Sequence, residues 1–151
     1  MMGSQETHRS AIMGDVTLSG SCLCGAVSYQ ITGDAGQFWH CHCTRCRKAT
    51  GTGHASNILM KPETVDWTSG NDVLKYFKVP DAKRFATVFC SICGSLMPRV
   101  APDMSIAVVP AGTLDNDPGI RPQGRLFQDS RAPWSCDQAE LACYETYPGH
   151  D

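Results

Sequence analysis

Seven of the nine cysteines fall into three short clusters: Cys22-Leu23-Cys24, Cys41-His42-Cys43-Thr44-Arg45-Cys46 and Cys90-Ser91-Ile92-Cys93. No other feature limits the fold as strongly, because each cluster gathers soft sulfur donors within a few residues. Thiolate sulfur suits a borderline-soft divalent cation, and zinc takes four ligands. The outer pairs, Cys22 with Cys24 and Cys90 with Cys93, supply four sulfurs and can close one site. About 65 residues lie between them, so one shared ion ties a long loop. The central Cys41, Cys43 and Cys46 supply three sulfurs and leave a position open. A closed site holds a fold together, whereas an open one can do chemistry.

The competing use of so many cysteines is a disulfide scaffold. Nine is odd, so full pairing would strand one thiol. Met1 to Asp15 is polar and has no apolar run of signal-peptide kind. No stretch approaches the roughly 18–20 apolar residues of a membrane span. Short ligand-like spacings in such a chain read as metal sites in a reducing compartment, and the expected location is cytoplasmic. A formal net charge of −2, without a basic stripe, argues against a nucleic-acid partner.

With 151 residues the chain makes one domain, expected over 15–151 behind a flexible extension over 1–14. Gly 14 and Pro 9, with β-branched residues in short runs, favour an all-β fold. After Gly25, the alternation of Val27, Tyr29 and Ile31 with smaller or polar residues predicts a half-buried strand. Thr32 to Gly36 reads as a turn, and Gln37 to His42 as a strand running into the central cluster. Cys22 with Cys24, and Cys41 with Cys43, share a strand face if the backbone there is extended. Arg45 to Ala49 makes a short helical turn ended by Thr50-Gly51-Thr52-Gly53. His54 to Met60 and Val65 to Trp67 read as strands separated by a turn at Lys61-Pro62-Glu63. Val73 to Val79 and Lys83 to Phe89 form an antiparallel pair, and Leu96 to Val100 and Ser105 to Val109 are further strands. Arg125 to Gln128 extends again. Ser135 with Gln138 reads as a capping box for a helix over 137–144.

Two uses of the central triplet stay open. In one it is a second structural site whose fourth ligand is His40, His42, His54, Cys136 or Cys143. In the other the fourth position belongs to water or a substrate thiol. A redox pair at Cys43 and Cys46 is disfavoured, because no βαβ pattern surrounds it. Arg45, Arg47 and Lys48 are either an ordinary solvated face or a cationic cluster. As a cluster they would keep nearby thiols ionised and hold the carboxylates of a substrate. Trp39, Phe89 and Trp134 read as core or pocket walls, and Cys136 and Cys143 as free thiols. His8 and His150 carry no assignment.

Three motifs in order, Ser-Cys-x-Cys-Gly-x-Val-x-Tyr from Ser21, Cys-His-Cys-x-x-Cys-Arg-Lys-x-x-Gly from Cys41 and Phe-Cys-x-x-Cys-Gly-Ser from Phe89, resemble the glutathione-dependent formaldehyde-activating enzyme family. Arg131-Ala132-Pro133-Trp134 is similar to that family's closing motif. The resemblance implies an all-β fold of short coiled antiparallel sheets, similar to that of the zinc-binding Mss-type chaperones. It implies a structural zinc at Cys22, Cys24, Cys90 and Cys93, and a labile, catalytic zinc at Cys41, Cys43 and Cys46. The implied activity is that of a carbon–sulfur lyase, joining a small thiol such as glutathione to a small aldehyde, or the reverse. A non-catalytic zinc-stabilised module that binds a protein or a thiol is the alternative.

Overall fold

The computed structural model describes residues 14–136 and 138–149, so the expected extension over 1–14 lies almost wholly outside them, as do His8 and His150. The alternation after Gly25 becomes a strand as expected: Val27, Tyr29 and Ile31 are buried. That strand does not stop at the turn-like Thr32 to Gly36. β2 runs through Ser28–Cys41, pairing first with β1 (Val16–Ser21) and then along its length with β3 (Ala55–Ser69). The glycines and Asp34 serve register shifts between Thr32 and Gly33 and between Asp34 and Gln37. Such bulges bend a strand without ending it. Lys61-Pro62-Glu63 likewise lies inside β3, with Pro62 opposite Gly33. The pairing needs glycine: a Cβ at Gly33 would collide with the Lys61 carbonyl oxygen and stand 2.9 Å from Pro62 Cα.

β8 (Ala107–Pro110) and β7 (Arg99–Val100) extend this first sheet beyond β3, and β9 (Gly124–Leu126) adds in parallel to β2. The antiparallel pair around Pro80 forms as expected, as β4 (Leu74–Lys78) and β5 (Ala86–Cys90). With β6 (Leu96–Met97) it makes a second, three-stranded sheet. Leu96 to Val100 is therefore two strands. Buried Pro98 lies between them, has no N–H for a ladder, and marks the passage from the second sheet to the first.

The core lies on one face of the first sheet, where Leu18, Tyr29, Ile31, Phe38, Ile58, Met60 and Val109 are buried. Each such side chain contributes about 1.5–3 kcal/mol on leaving water. Trp67 meets Tyr29 edge-on at 5.9 Å. One α-helix appears among the described residues, α1 (Thr44–Thr50), ended by Gly51 at φ 70. The helix expected over 137–144 is reduced to a single 3-10 turn at Gln138–Glu140, and Asp137 lies outside the described residues. No helix among the described residues is long and apolar enough to cross a membrane.

Candidate metal centre

The outer four cysteines sit on two matching turns. β1 ends at Ser21, and the Gly25 N–H donates to the Cys22 carbonyl at 3.1 Å, with Gly25 at φ 79. Cys22 and Cys24 thus converge through a tight turn and not through extended backbone, because a strand would have carried the chain past the ion. After β5 the same device recurs: the Gly94 N–H donates to the Cys90 carbonyl at 2.7 Å, again with φ 79. Only glycine adopts that conformation at no steric cost.

The four sulfurs lie within 4.8 Å of one another. Cys22 and Cys24 Sγ are 3.6 Å apart, and Cys24 and Cys90 Sγ 3.9 Å. A tetrahedron with metal–sulfur bonds of about 2.3 Å has edges of about 3.8 Å. A disulfide needs about 2.05 Å, and all nine cysteines are free. The donor set therefore fits zinc. Outer hydrogen bonds hold it: the Val27 N–H donates to Cys22 Sγ at 3.2 Å, and the Leu23 N–H to Ser95 Oγ at 3.0 Å, which ties one turn to the other. The Ser95 hydroxyl and backbone N–H bring the Cys93 thiol down to about 5, close to the thiolate a metal requires.

The inner triplet is built from one local stretch. Cys41 ends β2, Cys43 caps α1, and Cys46 lies in its first turn, with the three sulfurs within 4.8 Å of one another. Cys43 keeps extended backbone (φ −63, ψ 154), and its sulfur accepts the Cys46 N–H at 3.3 Å. Burial pushes the Cys43 thiol up, but that N–H and the adjoining thiols outweigh it and leave the group below its ordinary value. Burial first, then the neighbouring thiols, push Cys46 well above its ordinary value.

No histidine or further cysteine joins the triplet among the described residues. Cys136 and Cys143 are exposed free thiols, as expected. His40 and His54 stack on each other with centroids 3.9 Å apart, and His42 lies 5.1 Å from His54. His42 is buried, and neither ring nitrogen has a hydrogen-bond partner among the described residues. Burial, and then the charges of His54, Arg125 and Arg131, hold it below the usual imidazole range.

Above the triplet is a cavity of about 400 Å³ lined by Cys41, Cys43, Thr44, Arg45, Cys46, Phe85 and Phe127. Of the three cations singled out in the sequence, Arg45 lines this cavity and Arg47 and Lys48 do not, since successive helical residues point about 100° apart. Lys48 is exposed, while Arg47 is half-buried with its Nε shielded and unbonded. Phe85 and Phe127 carried no sequence signal. Phe127 becomes a wall because its backbone turns left-handed (φ 55) directly after β9. Trp39 is half-buried, as is Phe89, but Trp134 is 67% exposed and belongs to no core.

A profile of the glutathione-dependent formaldehyde-activating enzymes matches residues 17–130. The chain belongs to that family. Within the family stretch lie both cysteine clusters and all seven sulfurs just described. No curated protein matches the sequence closely enough to count. Among solved structures, a crystal structure of a Rhodobacter sphaeroides protein aligns with a TM-score of 0.52 at 19% identity. It covers 72% of this chain and 99% of that one, and at such identity it speaks for the fold alone.

Proposed function

We propose that this family member is a zinc-dependent carbon–sulfur lyase that joins a low-molecular-weight thiol, glutathione in the family's name, to a small aldehyde. The observation that carries the proposal is the triplet itself: three sulfurs at the floor of a cavity, without a fourth protein donor among the described residues. Zinc bound there supplies the positive charge that lets a thiol ionise near neutral pH. Cys41, Cys43 and Cys46 would hold the ion, and the Cys46 N–H donated to Cys43 Sγ favours the thiolate there. Arg45 receives a substrate carboxylate, and Arg47 and Lys48 on the same helix add positive potential. Phe85 and Phe127 keep water from the reacting atoms. A carbon–sulfur bond forms as the thiol adds to the aldehyde carbon, and the carbonyl oxygen takes up the proton the thiol released. The reverse step breaks the same bond. The outer zinc is structural, and the free thiols accord with work in the cytoplasm.

Cobalt exchanged into the protein makes this testable, because thiolate ligation gives a charge-transfer band. Glutathione is expected to intensify that band. Cys43→Ala removes the response while the outer site stays filled, and Arg45→Ala weakens binding by about 1.5–3 kcal/mol, as for a charge-assisted hydrogen bond. A band indifferent to a range of thiols would sink the lyase and leave a zinc-stabilised binding module.

A further inference from the structure

A second cavity, of about 660 Å³, also borders the triplet and shares Cys41, Cys46 and Phe85 with the first. It is a groove between the two sheets. Its floor follows from the pleat: Trp39, Asn57, Leu59, Val108 and Arg99 line it. Their chain neighbours Phe38, Ile58, Ala107 and Val109 are buried in the core on the opposite face. Arg99 stands opposite Val108, and Val108 opposite Leu59, so one row crosses three strands. β5 and β6 supply the other wall through Val88 and Leu96.

Among the described residues Arg99 is the one charged side chain lining this groove, and no acidic residue lines it. The side chain is half-buried and has no hydrogen-bond or ion-pair partner among the described residues. A guanidinium drawn partly out of water without an acid beside it loses hydration and gains nothing in return. An incoming carboxylate supplies the missing partner in bidentate geometry.

We propose that Arg99 is a specificity-determining residue, holding the terminal carboxylate of a peptide-like thiol laid along this groove with its sulfur at the triplet. The proposal rests on the thiol site described above and extends it to the part of the substrate that does not react. The span sets the ligand's length. Cys41 pairs with Ala55, and the Arg99 row crosses β3 at Leu59, four residues away. That is about 13 Å along the strand, and three strand spacings from β2 to β7 add about 14 Å sideways. The backbones are thus about 19 Å apart on a flat sheet. The Arg99 and cysteine side chains cover part of this distance, and the remainder is on the order of 10 Å, or about three extended residues. Free cysteine, with its carboxylate beside its thiol, is too short. Asn57 and Thr87 line the same groove and offer polar groups for the intervening amides.

The test titrates four thiols into cobalt-substituted protein: glutathione, its monoethyl ester at the glycine end, cysteine and 2-mercaptoethanol. Wild type is expected to bind glutathione at least about tenfold more tightly than the ester or cysteine, tenfold being 1.4 kcal/mol. In Arg99→Leu that advantage disappears, while 2-mercaptoethanol binds as before. Arg99→Gln, which keeps length and polarity, repeats the measurement if the leucine variant fails to fold. Persistence of the acid-over-ester preference in either folded variant overturns the assignment of Arg99. If 2-mercaptoethanol also leaves the wild-type spectrum unchanged, the thiol site itself is wrong, and the two failures are told apart.

Discussion

The outer and inner cysteine clusters use the same donor atom and reach opposite ends. The outer four come from two turns on two different sheets, linked across the chain by Leu23 and Ser95. The inner three come from six consecutive residues at the junction of β2 and α1. Long-range ligands make a metal part of the fold, because the site exists only when the sheets have met. Local ligands make a metal a guest, because strand pairing and helix capping already place the sulfurs. Cys90 is fully buried, whereas Cys43 lines a cavity. Structural weight and chemical access are thus expected to fall on separate sites.

Breaking one ligand at each site gives the largest contrast. Cys90→Ser leaves a long-range site one donor short and is expected to abolish folding. Structural zinc contributes about 10–16 kcal/mol in small domains, against a total stability of about 5–15 kcal/mol. Cys43→Ser keeps a native circular dichroism spectrum with one zinc equivalent in place. Equal damage from both would erase the distinction. A chelator sharpens the comparison next. A mild chelator removes about one equivalent while the dichroism stays native, since three thiolates around an open position hold an ion less firmly than four. Joint loss of both ions with unfolding would argue for a single linked site. The smallest effect is at the glycines. Gly94→Ala and Gly51→Ala both force a Cβ into left-handed backbone, at about 1–2 kcal/mol each, with open space around both. Gly94→Ala is expected to weaken the outer ion, as measured by competition with a chelating dye. Gly51→Ala frays α1 and affects only the inner one.

The grouping of the cysteines into two sets that could hold a metal was legible in the sequence because each pair carries its own local signal. The β4–β5 pair and the burial of Val27, Tyr29 and Ile31 were legible for the same reason. The two longest strands were not. Thr32 to Gly36 and Lys61 to Glu63 each look like a turn taken alone. They are strand because they face each other, with Gly33 making room for the backbone at Pro62. A local signal cannot report its partner. The cavity walls were hidden for a related reason. Phe127 reaches the triplet only through the parallel pairing of β9 with β2, a contact across some 85 residues. Cys22 and Cys24 were correctly paired, but by a turn where extended backbone had been expected.

The distance in sequence between the two outer turns also fixes an order of events during synthesis. Cys93 follows Cys22 by 71 positions. At about 5–20 residues per second, the first turn leaves the ribosome about 4–14 s before its partner exists. Through that interval a nascent chain presents Cys22 and Cys24 without Cys90 and Cys93, although β1 already has β2 to pair with. The inner triplet, complete within six residues, needs no such wait. Its three cysteines emerge before those of the outer cluster are all present, and so the inner cluster is complete first.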